Sequence, residues 1–217
     1  MPRRYRRRYK RPRPYTTERR VKRVLRKLQD THFKDTCVTD AVPLYSDSAG
    51  TNTAQHLSGI AQGNTKADRT GNRVSFGSLQ MTLDLIKLNT IEVELFRVLI
   101  FRWSGGGVPQ IQNVLSKCGN SWLRAFYRTS TDTNFQNKYS IMFDRTFTCS
   151  NGTIPQMRIP ILKKWNEGSA ATYDGVLADT ASAGPGNIWL FVISNRQVAD
   201  ATLGTYNLDW RLKWADS

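Results

Sequence analysis

The chain has 217 residues, enough for one domain with a substantial core, and it carries 32 Lys and Arg against 17 Asp and Glu. No run of about 18 apolar residues occurs, which argues against a transmembrane helix, and no apolar segment follows the charged N-terminus, so we expect no secretory signal. The formal net charge of +15 indicates a polyanionic partner, such as a phosphate backbone.

The charge is concentrated in the first thirty residues. Residues 1–30 hold 14 basic and 2 acidic residues, a net of +12, whereas residues 31–217 hold 18 basic and 15 acidic residues, a net of +3. A segment so highly charged repels itself and cannot bury a core. We therefore predict two parts: a largely disordered nucleic-acid-binding arm at 1–30 and a globular domain at 31–217.

The first half of the arm, residues 1–15, mixes arginines with three tyrosines, and three prolines block a helix. Aromatic rings can stack on exposed bases while guanidinium groups hold phosphates. The same composition suits a nuclear localisation signal, and a mitochondrial presequence is an alternative. We predict that the nucleic-acid-binding residues of the arm are Arg3, Arg4, Tyr5, Arg6, Arg7, Arg8, Tyr9, Lys10, Arg11, Arg13, Arg19, Arg20, Lys22, Arg23, Arg26 and Lys27.

The second half of the arm has the pattern of an amphipathic helix at about residues 17–29. Thr16 or Thr17 can cap it, and Glu18 suits its positive end. One apolar stripe follows the helical period, formed by Val21, Val24, Leu25 and Leu28. The stripe suits docking on the body or on another copy, and a membrane-surface helix is the alternative.

Beyond the arm the pattern changes to alternating strands and polar turns. Residues 46–72 are rich in small polar residues and predict a long connection, 109–116 a short helix, and 183–187 a turn. The strand 188–194 is a continuous apolar run, which predicts burial on both faces. Strands are predicted at 36–44, 73–88, 92–103, 139–149, 156–162, 188–194 and 206–214.

Seven or eight strands, little helix and long loops predict an all-β sandwich or barrel. The strand spacing is wider than in an immunoglobulin domain and the Cys…Trp…Cys signature is missing, so an eight-stranded single jelly roll fits better. The three cysteines, Cys37, Cys118 and Cys149, are odd in number and widely spaced, which indicates free thiols.

The sequence contains no motif typical of an enzyme. It has no G-x-S-x-G elbow, P-loop, H-E-x-x-H or C-x-x-C, and its two histidines are too few for a histidine-rich metal centre. We therefore predict a binding or structural protein without catalytic residues, metal or cofactor.

A basic arm, a short basic helix and one all-β body together resemble the coat proteins of small icosahedral viruses. From about residue 20 to 217 the chain is most similar to the satellite tobacco necrosis virus type of coat protein, a single jelly roll. The matching segments keep their order and spacing; they are Val21-Lys22-Arg23, Gly59-Ile60-Ala61-Gln62-Gly63, Arg69-Thr70-Gly71-Asn72-Arg73-Val74, residues 96–103, Val108-Pro109, residues 138–144 and Ala183-Gly184-Pro185-Gly186-Asn187-Ile188-Trp189-Leu190.

The opening of the arm has a second resemblance. Pro2-Arg3-Arg4-Tyr5-Arg6-Arg7-Arg8-Tyr9 is similar to the arms of circovirus-type capsid proteins from circular Rep-encoding single-stranded DNA viruses. The resemblances imply a capsid protein that forms a sixty-subunit T=1 shell and packages a single-stranded genome, DNA in preference to RNA. The implied partners are that nucleic acid, identical subunits and the host nuclear import machinery, with no membrane. The implied locations are the virion and, during assembly, the host nucleus.

In the satellite family calcium ions bridge subunits, and by position one such site would fall on Thr70, Arg73 and Asp216. A guanidinium donates hydrogen bonds and cannot ligate a hard cation, so we expect no calcium there. The resemblance instead suggests that Arg73 pairs with Asp216 across a subunit contact.

Two other classes of protein fit parts of the pattern. A cellular nucleic-acid-binding β protein with a basic extension would share the arm but would stay monomeric or form small oligomers. A carbohydrate-binding jelly roll would expose tryptophans such as Trp122, Trp165 or Trp189 as sugar platforms, although such residues more commonly lie in cores or interfaces.

Overall fold

The computed structural model describes residues 31–43, 45–46, 54–86, 93–105, 107–119, 121–128, 138–150, 156–165, 169–195 and 205–216, with the side chains of 39–46, 156 and 205 left aside. By its backbone contacts the chain divides into the units Met1–Asp30 and Thr31–Ser217, and every described residue belongs to the second. The predicted arm helix at 17–29 therefore lies outside the described residues.

The described residues are mostly β-strand, which confirms the all-β prediction. One short helix, α1, spans Ile111–Val114. The strands are β1 (Thr31–Pro43), β2 (Tyr45–Ser46), β3 (Gln55–His56), β4 (Arg73–Ile86), β5 (Val93–Trp103), β6 (Leu115–Cys118), β7 (Ser121–Tyr127), β8 (Tyr139–Ser150), β9 (Gln156–Lys164), β10 (Ala170–Thr172), β11 (Asn187–Ser194) and β12 (Thr205–Asp216).

The strands form two five-stranded sheets and a hairpin. Sheet 1 has the order β1-β12-β4, and both β9 and β10 pair with the far side of β4, at different points along it. Sheet 2 has the order β11-β5-β8, and the short strands β2 and β3 pair with β11. All of these pairings are antiparallel except β2 with β11. The hairpin is β6 with β7.

The main core lies between the two sheets. β12 supplies every second residue to this core. In β4 the alternation shifts by one residue, because Val74 and Phe76 face inward and the next inward residues are Leu79 and Met81. The extra residue is Gly77, because the β4–β12 register shifts between Ser78 opposite Lys213 and Phe76 opposite Trp214. A one-residue bulge keeps the apolar face inward where strict alternation would turn it to solvent.

A second core covers the opposite face of sheet 2. Leu99, Phe101 and Phe191 pack there against α1 and the β6–β7 hairpin, which supplies Leu115 and Trp122. All eight residues of β11 are buried, which confirms the predicted burial on both faces. Trp122 and Trp189 are also buried, so neither can serve as a sugar platform.

Most strands agree with the sequence prediction, and the differences fall in short segments. β1 begins five residues before the predicted strand, and the predicted helix at 109–116 contracts to α1 because residue 115 already begins β6. The hairpin and β10 were not predicted; they are short and gain their stability from the sheets they pack on. Within the described ranges, no helix has the length and apolarity needed to span a membrane.

Candidate nucleic-acid and subunit interfaces

The predicted nucleic-acid-binding residues all lie in the arm, outside the described residues. The body offers one described surface close to where the arm joins it, the outer face of sheet 1. Four residues form one cross-strand row here. Lys213 of β12 lies between Phe33 of β1 and Ser78 of β4, and Ser78 lies opposite Lys164 of β9. Lys213 and Lys164 are both exposed and place positive charge on one row of this face. The row is a second candidate for phosphate contact.

The rest of the outer face is closer to neutral because its charges are paired. Arg211 donates to both carboxylate oxygens of Asp35 at 2.6 Å. Arg158 donates in the same bidentate way to Asp84 at 2.8 and 2.9 Å. A shallow open depression of about 440 Å³ lies between the Asp35–Arg211 pair and Cys37. The hydrogen bond between Cys37 and Asp209 raises the pKa of the thiol, so Cys37 stays protonated at neutral pH.

The three cysteines are free, as predicted. Cys37 and Cys118 are exposed, and Cys149 is buried.

The predicted subunit-contact residue Asp216 ends β12 and is held within its own chain. Its Oδ2 accepts hydrogen bonds from Thr70 Oγ1 at 2.6 Å and Thr70 N at 3.1 Å, and His32 Nε2 lies 3.5 Å away. His32 in turn stacks on Trp214, with ring centroids 5.8 Å apart. The other carboxylate oxygen, Oδ1, is buried and has no hydrogen-bond partner among the residues that the structure describes.

Arg73, the predicted partner of Asp216, begins β4, and its side chain is exposed. Asp216 lies opposite Val74, the next residue of β4. The structure thus brings Thr70 and Asp216 into contact with Arg73 close by.

This donor set does not fit calcium. The ion takes six to eight oxygen ligands, and here one hydroxyl donates its proton to the single carboxylate while the third residue is a cation. Nowhere in the part of the chain that the structure describes do three His, Cys, Asp or Glu side chains gather as a metal site would need.

Two surface connections next to this cluster are fastened together by Arg69, which is fully buried. Its guanidinium donates to the carbonyls of Ile60, Gly71 and Gly175 and to Asn72 Oδ1. These acceptors lie in the connection before β4 and in the connection between β10 and β11. Arg69 also lies 4.4 Å above the ring of Tyr173. The guanidinium therefore fixes two loops that would otherwise be free to move.

A second buried network joins β3 and the connection before β4 to the start of β11. Ser58 Oγ donates to Asn187 Oδ1 at 2.6 Å and accepts from the Ile188 amide at 2.9 Å, and His56 Nε2 lies 3.3 Å from the same Asn187 oxygen. That oxygen only accepts, so this contact is a hydrogen bond when His56 carries its proton on Nε2. Burial lowers the pKa of His56 to about 4.

The grouping of serine, histidine and asparagine has the residue types of a hydrolase triad but not its geometry. Ser58 is fully buried, and its hydroxyl donates its proton to Asn187 Oδ1 and not to the histidine ring. A nucleophile needs a base that can take its proton and space for a substrate. This trio instead positions the start of β11.

The β6–β7 hairpin is fixed to sheet 2 by Arg97 of β5. Arg97 donates to both oxygens of Asp144 at 3.0 and 2.7 Å, and also to the carbonyls of Trp122 and Ala125 in β7. Burial of Asp144 acts to raise its pKa, but hydrogen bonds from Arg97 and Tyr127 outweigh this and the net shift is downward.

Sequence reasoning did not single out Arg69, Asn187 or Arg97 as the residues that hold the loops and hairpin. Their partners are mainly main-chain carbonyls and residues distant in sequence, such as Asp144, which is 47 positions from Arg97. The one available signal was their occurrence inside segments that resemble coat proteins.

The family model for the satellite tobacco necrosis virus coat protein matches residues 3–217. The chain is therefore a viral capsid protein, a subunit of a virion that oligomerises and encloses a genome. It belongs to the satellite tobacco necrosis virus coat protein family. No curated protein matches the chain. Membership of a coat protein family decides against the alternative of a cellular nucleic-acid-binding protein.

Proposed function

We propose that this capsid protein assembles into a sixty-subunit T=1 shell and packages single-stranded DNA through its Arg-rich arm. The observation that carries the proposal is the separation of charge, +12 within residues 1–30 against +3 in the remaining 187 residues. A nearly neutral body can pack against copies of itself without strong repulsion, while the arm retains its charge for a polyanion.

The shell domain in this proposal is residues 31–217, folded as an eight-stranded jelly roll. The strand order supports it. The short strands β2 and β3 both pair with β11 and can be treated as one interrupted strand, and β9 and β10 both pair with β4 and can be treated in the same way. Each sheet then has four strands. Strands that follow each other in sequence mostly lie in different sheets, which is the connectivity of a jelly roll.

The arm in this proposal lines the inside of the shell. Sixty arms at +12 amount to about 720 positive charges, which neutralise only part of a genome of a kilobase or two and leave small cations to neutralise the remainder. Residues 1–15 hold the genome and address the nuclear import machinery. The predicted helix at 17–29 anchors the arm to the shell through Val21, Val24, Leu25 and Leu28. Lys164 and Lys213 add phosphate contacts from the body.

DNA is proposed over RNA because the Arg, Tyr and Pro pattern of residues 2–9 resembles the arms of circular Rep-encoding single-stranded DNA viruses. Phosphates and base faces are common to both nucleic acids, so arm chemistry does not itself discriminate. Treating purified particles with DNase or RNase after disruption, and sequencing the contents, distinguishes the two. Purely RNA contents would contradict this part of the proposal.

The subunit contact in this proposal pairs Arg73 of one subunit with Asp216 of the next. Two features support it: Oδ1 of Asp216, whose side chain is 23% exposed, has no hydrogen-bond partner within the described ranges, and the Arg73 side chain is exposed. An incoming guanidinium would supply the missing donors in the place where the family uses calcium.

The test of packaging compares the full chain with a variant lacking residues 1–15, which carry eight basic residues. For single-stranded nucleic acid each neutralised phosphate contributes about −0.7 to the slope of log K against log salt, so the loss of eight basic residues should flatten the slope by up to about 6. A matched control replaces the eight basic residues by Gln and keeps the three tyrosines. If both variants package as much nucleic acid as the full chain, the arm does not have this role.

A further inference from the structure

Among the described strands, β8 is an edge strand of sheet 2 and β9 is an edge strand of sheet 1. These two edges lie on the same side of the sandwich, which is open between them. A groove of about 330 Å³ runs along it. Its floor belongs to the main core, because Leu79, Ile100 and Ile161 are buried. Its rim includes Leu162, which is 61% exposed. The groove is therefore an apolar opening into the core.

The charged residues that line this groove are both basic. Lys163 Nζ lies 3.4 Å from the Met142 carbonyl, so the lysine reaches from β9 across to β8. On the β8 side of the groove, Arg145 Cζ lies 5.7 Å from the centre of the Phe143 ring. No carboxylate is among the described residues that line it. An occupant should accordingly combine an apolar tip with acidic flanks.

The connection between β10 and β11 carries a segment with these properties. Val176 and Leu177 are 61% and 60% exposed, and the exposed carboxylates Asp174 and Asp179 flank them. We call residues 174–179 the acidic knob. Its backbone is fixed, because Val176 O accepts from the Gln62 amide at 2.7 Å and Gly175 O accepts from Arg69. Asp179 also accepts from the Ser182 amide at 2.8 Å. The two apolar side chains are thus presented to solvent on a rigid support.

We propose that the acidic knob of one subunit inserts into the groove of a neighbouring subunit. Among the described residues of one subunit the knob is exposed and the groove is open, so a second copy can bring the two together. Burial of Val176 and Leu177 removes apolar surface from water, and Asp174 and Asp179 meet Arg145 and Lys163. The contact joins two different patches, so it is heterologous, and contacts of this kind form a closed ring when the rotation between neighbouring subunits closes. This inference rests on the proposed shell function and names one of its contacts.

The primary test is disulfide trapping in assembled full-length protein. The variant replaces Cys37 and Cys118 by Ser and carries Leu162→Cys together with Leu177→Cys; both leucines are exposed, so the fold should tolerate the changes. Oxidation of its particles should give a ladder of covalent dimers, trimers and larger species on a non-reducing gel. The matched controls carry one new cysteine each and should remain monomeric. Intact particles that give only monomers would overturn the inference and leave the shell function standing.

A second test uses charge. Arg145→Glu with Lys163→Glu should lower the apparent association constant for assembly by about tenfold or more, and addition of Asp174→Lys should restore part of the loss. Circular dichroism checks that each variant is folded. Unchanged assembly of the reversed variant would overturn the inference. If the wild-type chain forms no shell by electron microscopy, the proposed shell function fails and the inference fails with it.

Discussion

The buried histidine His56 should make the fold lose stability in mildly acidic solution. It lies in β3, stacked on Trp189 with ring centroids 4.5 Å apart. Burial lowers its pKa from 6.5 to about 4; Lys34 contributes in the same direction, and Asn187 and Asp179 oppose it. The unfolded chain therefore takes up a proton near pH 6.5, whereas the folded chain does so only near pH 4.

The size of the effect follows from the two pKa values. Because the folded pKa is the lower one, stability is constant above about pH 6.5, falls by about 1.4 kcal/mol per pH unit below it, and becomes constant again near pH 4. The total loss is about 3 kcal/mol. Carboxylates such as Asp144, whose pKa is lowered, affect stability over a different pH range. Their contribution to the free energy of unfolding is lost only as the pH falls below about 3.9.

The assay is equilibrium urea unfolding of the unassembled full-length protein between pH 7 and 4.5, followed by far-UV circular dichroism. This signal avoids quenching of Trp189 by a charged imidazole. His56→Gln keeps an amide donor for Asn187 and cannot titrate, so its stability should be nearly flat across this range. The other histidine provides the control, and His32→Gln should keep the loss. Equal slopes for the wild type and His56→Gln would refute the reasoning.

Two further predictions concern how the hairpin and the β10–β11 connection are held. Arg97→Met should reduce the free energy of unfolding by about 3 kcal/mol or more, because it removes the bidentate donor to Asp144, which keeps only the Tyr127 hydroxyl among its described donors, and the side-chain donor to the β7 carbonyls. Arg158→Met removes an equally bidentate pair whose arginine side chain is 72% exposed, and it should cost far less in the same urea titration. A similar loss for both variants would show that burial does not decide the effect. Gly186→Ala should lower the melting temperature sharply, because φ of Gly186 is 91° and a Cβ there would lie 2.4 Å from the Ala170 carbonyl oxygen. Gly71→Ala should change the melting temperature little, because a Cβ at that position would have no described atom within 4 Å. Equal melting temperatures for these two variants would contradict the predicted clash.

The sequence predicted the elements whose residues carry a long periodic pattern. β12 alternates apolar and polar residues from Tyr206 to Trp214, and β11 is apolar from Ile188 to Ile193, so burial of one face or both faces was evident without a structure. Short elements such as β10 and the β6–β7 hairpin carry too few residues for a period. Their conformation depends on the surfaces that they cover.

The sequence by itself determined the division of charge between arm and body, the all-β class and the coat-protein resemblance, because composition and periodicity are local properties of the chain. Only the tertiary structure decided which side chains meet across long sequence distances. It set Arg69 among loop carbonyls, joined Arg97 to Asp144, and left one oxygen of Asp216 without a hydrogen-bond partner in the described part of the chain. It also separated the acidic knob from the basic groove within one subunit. Such pairings depend on strand order and register, which bring residues together through the packing of two sheets and not through spacing along the chain.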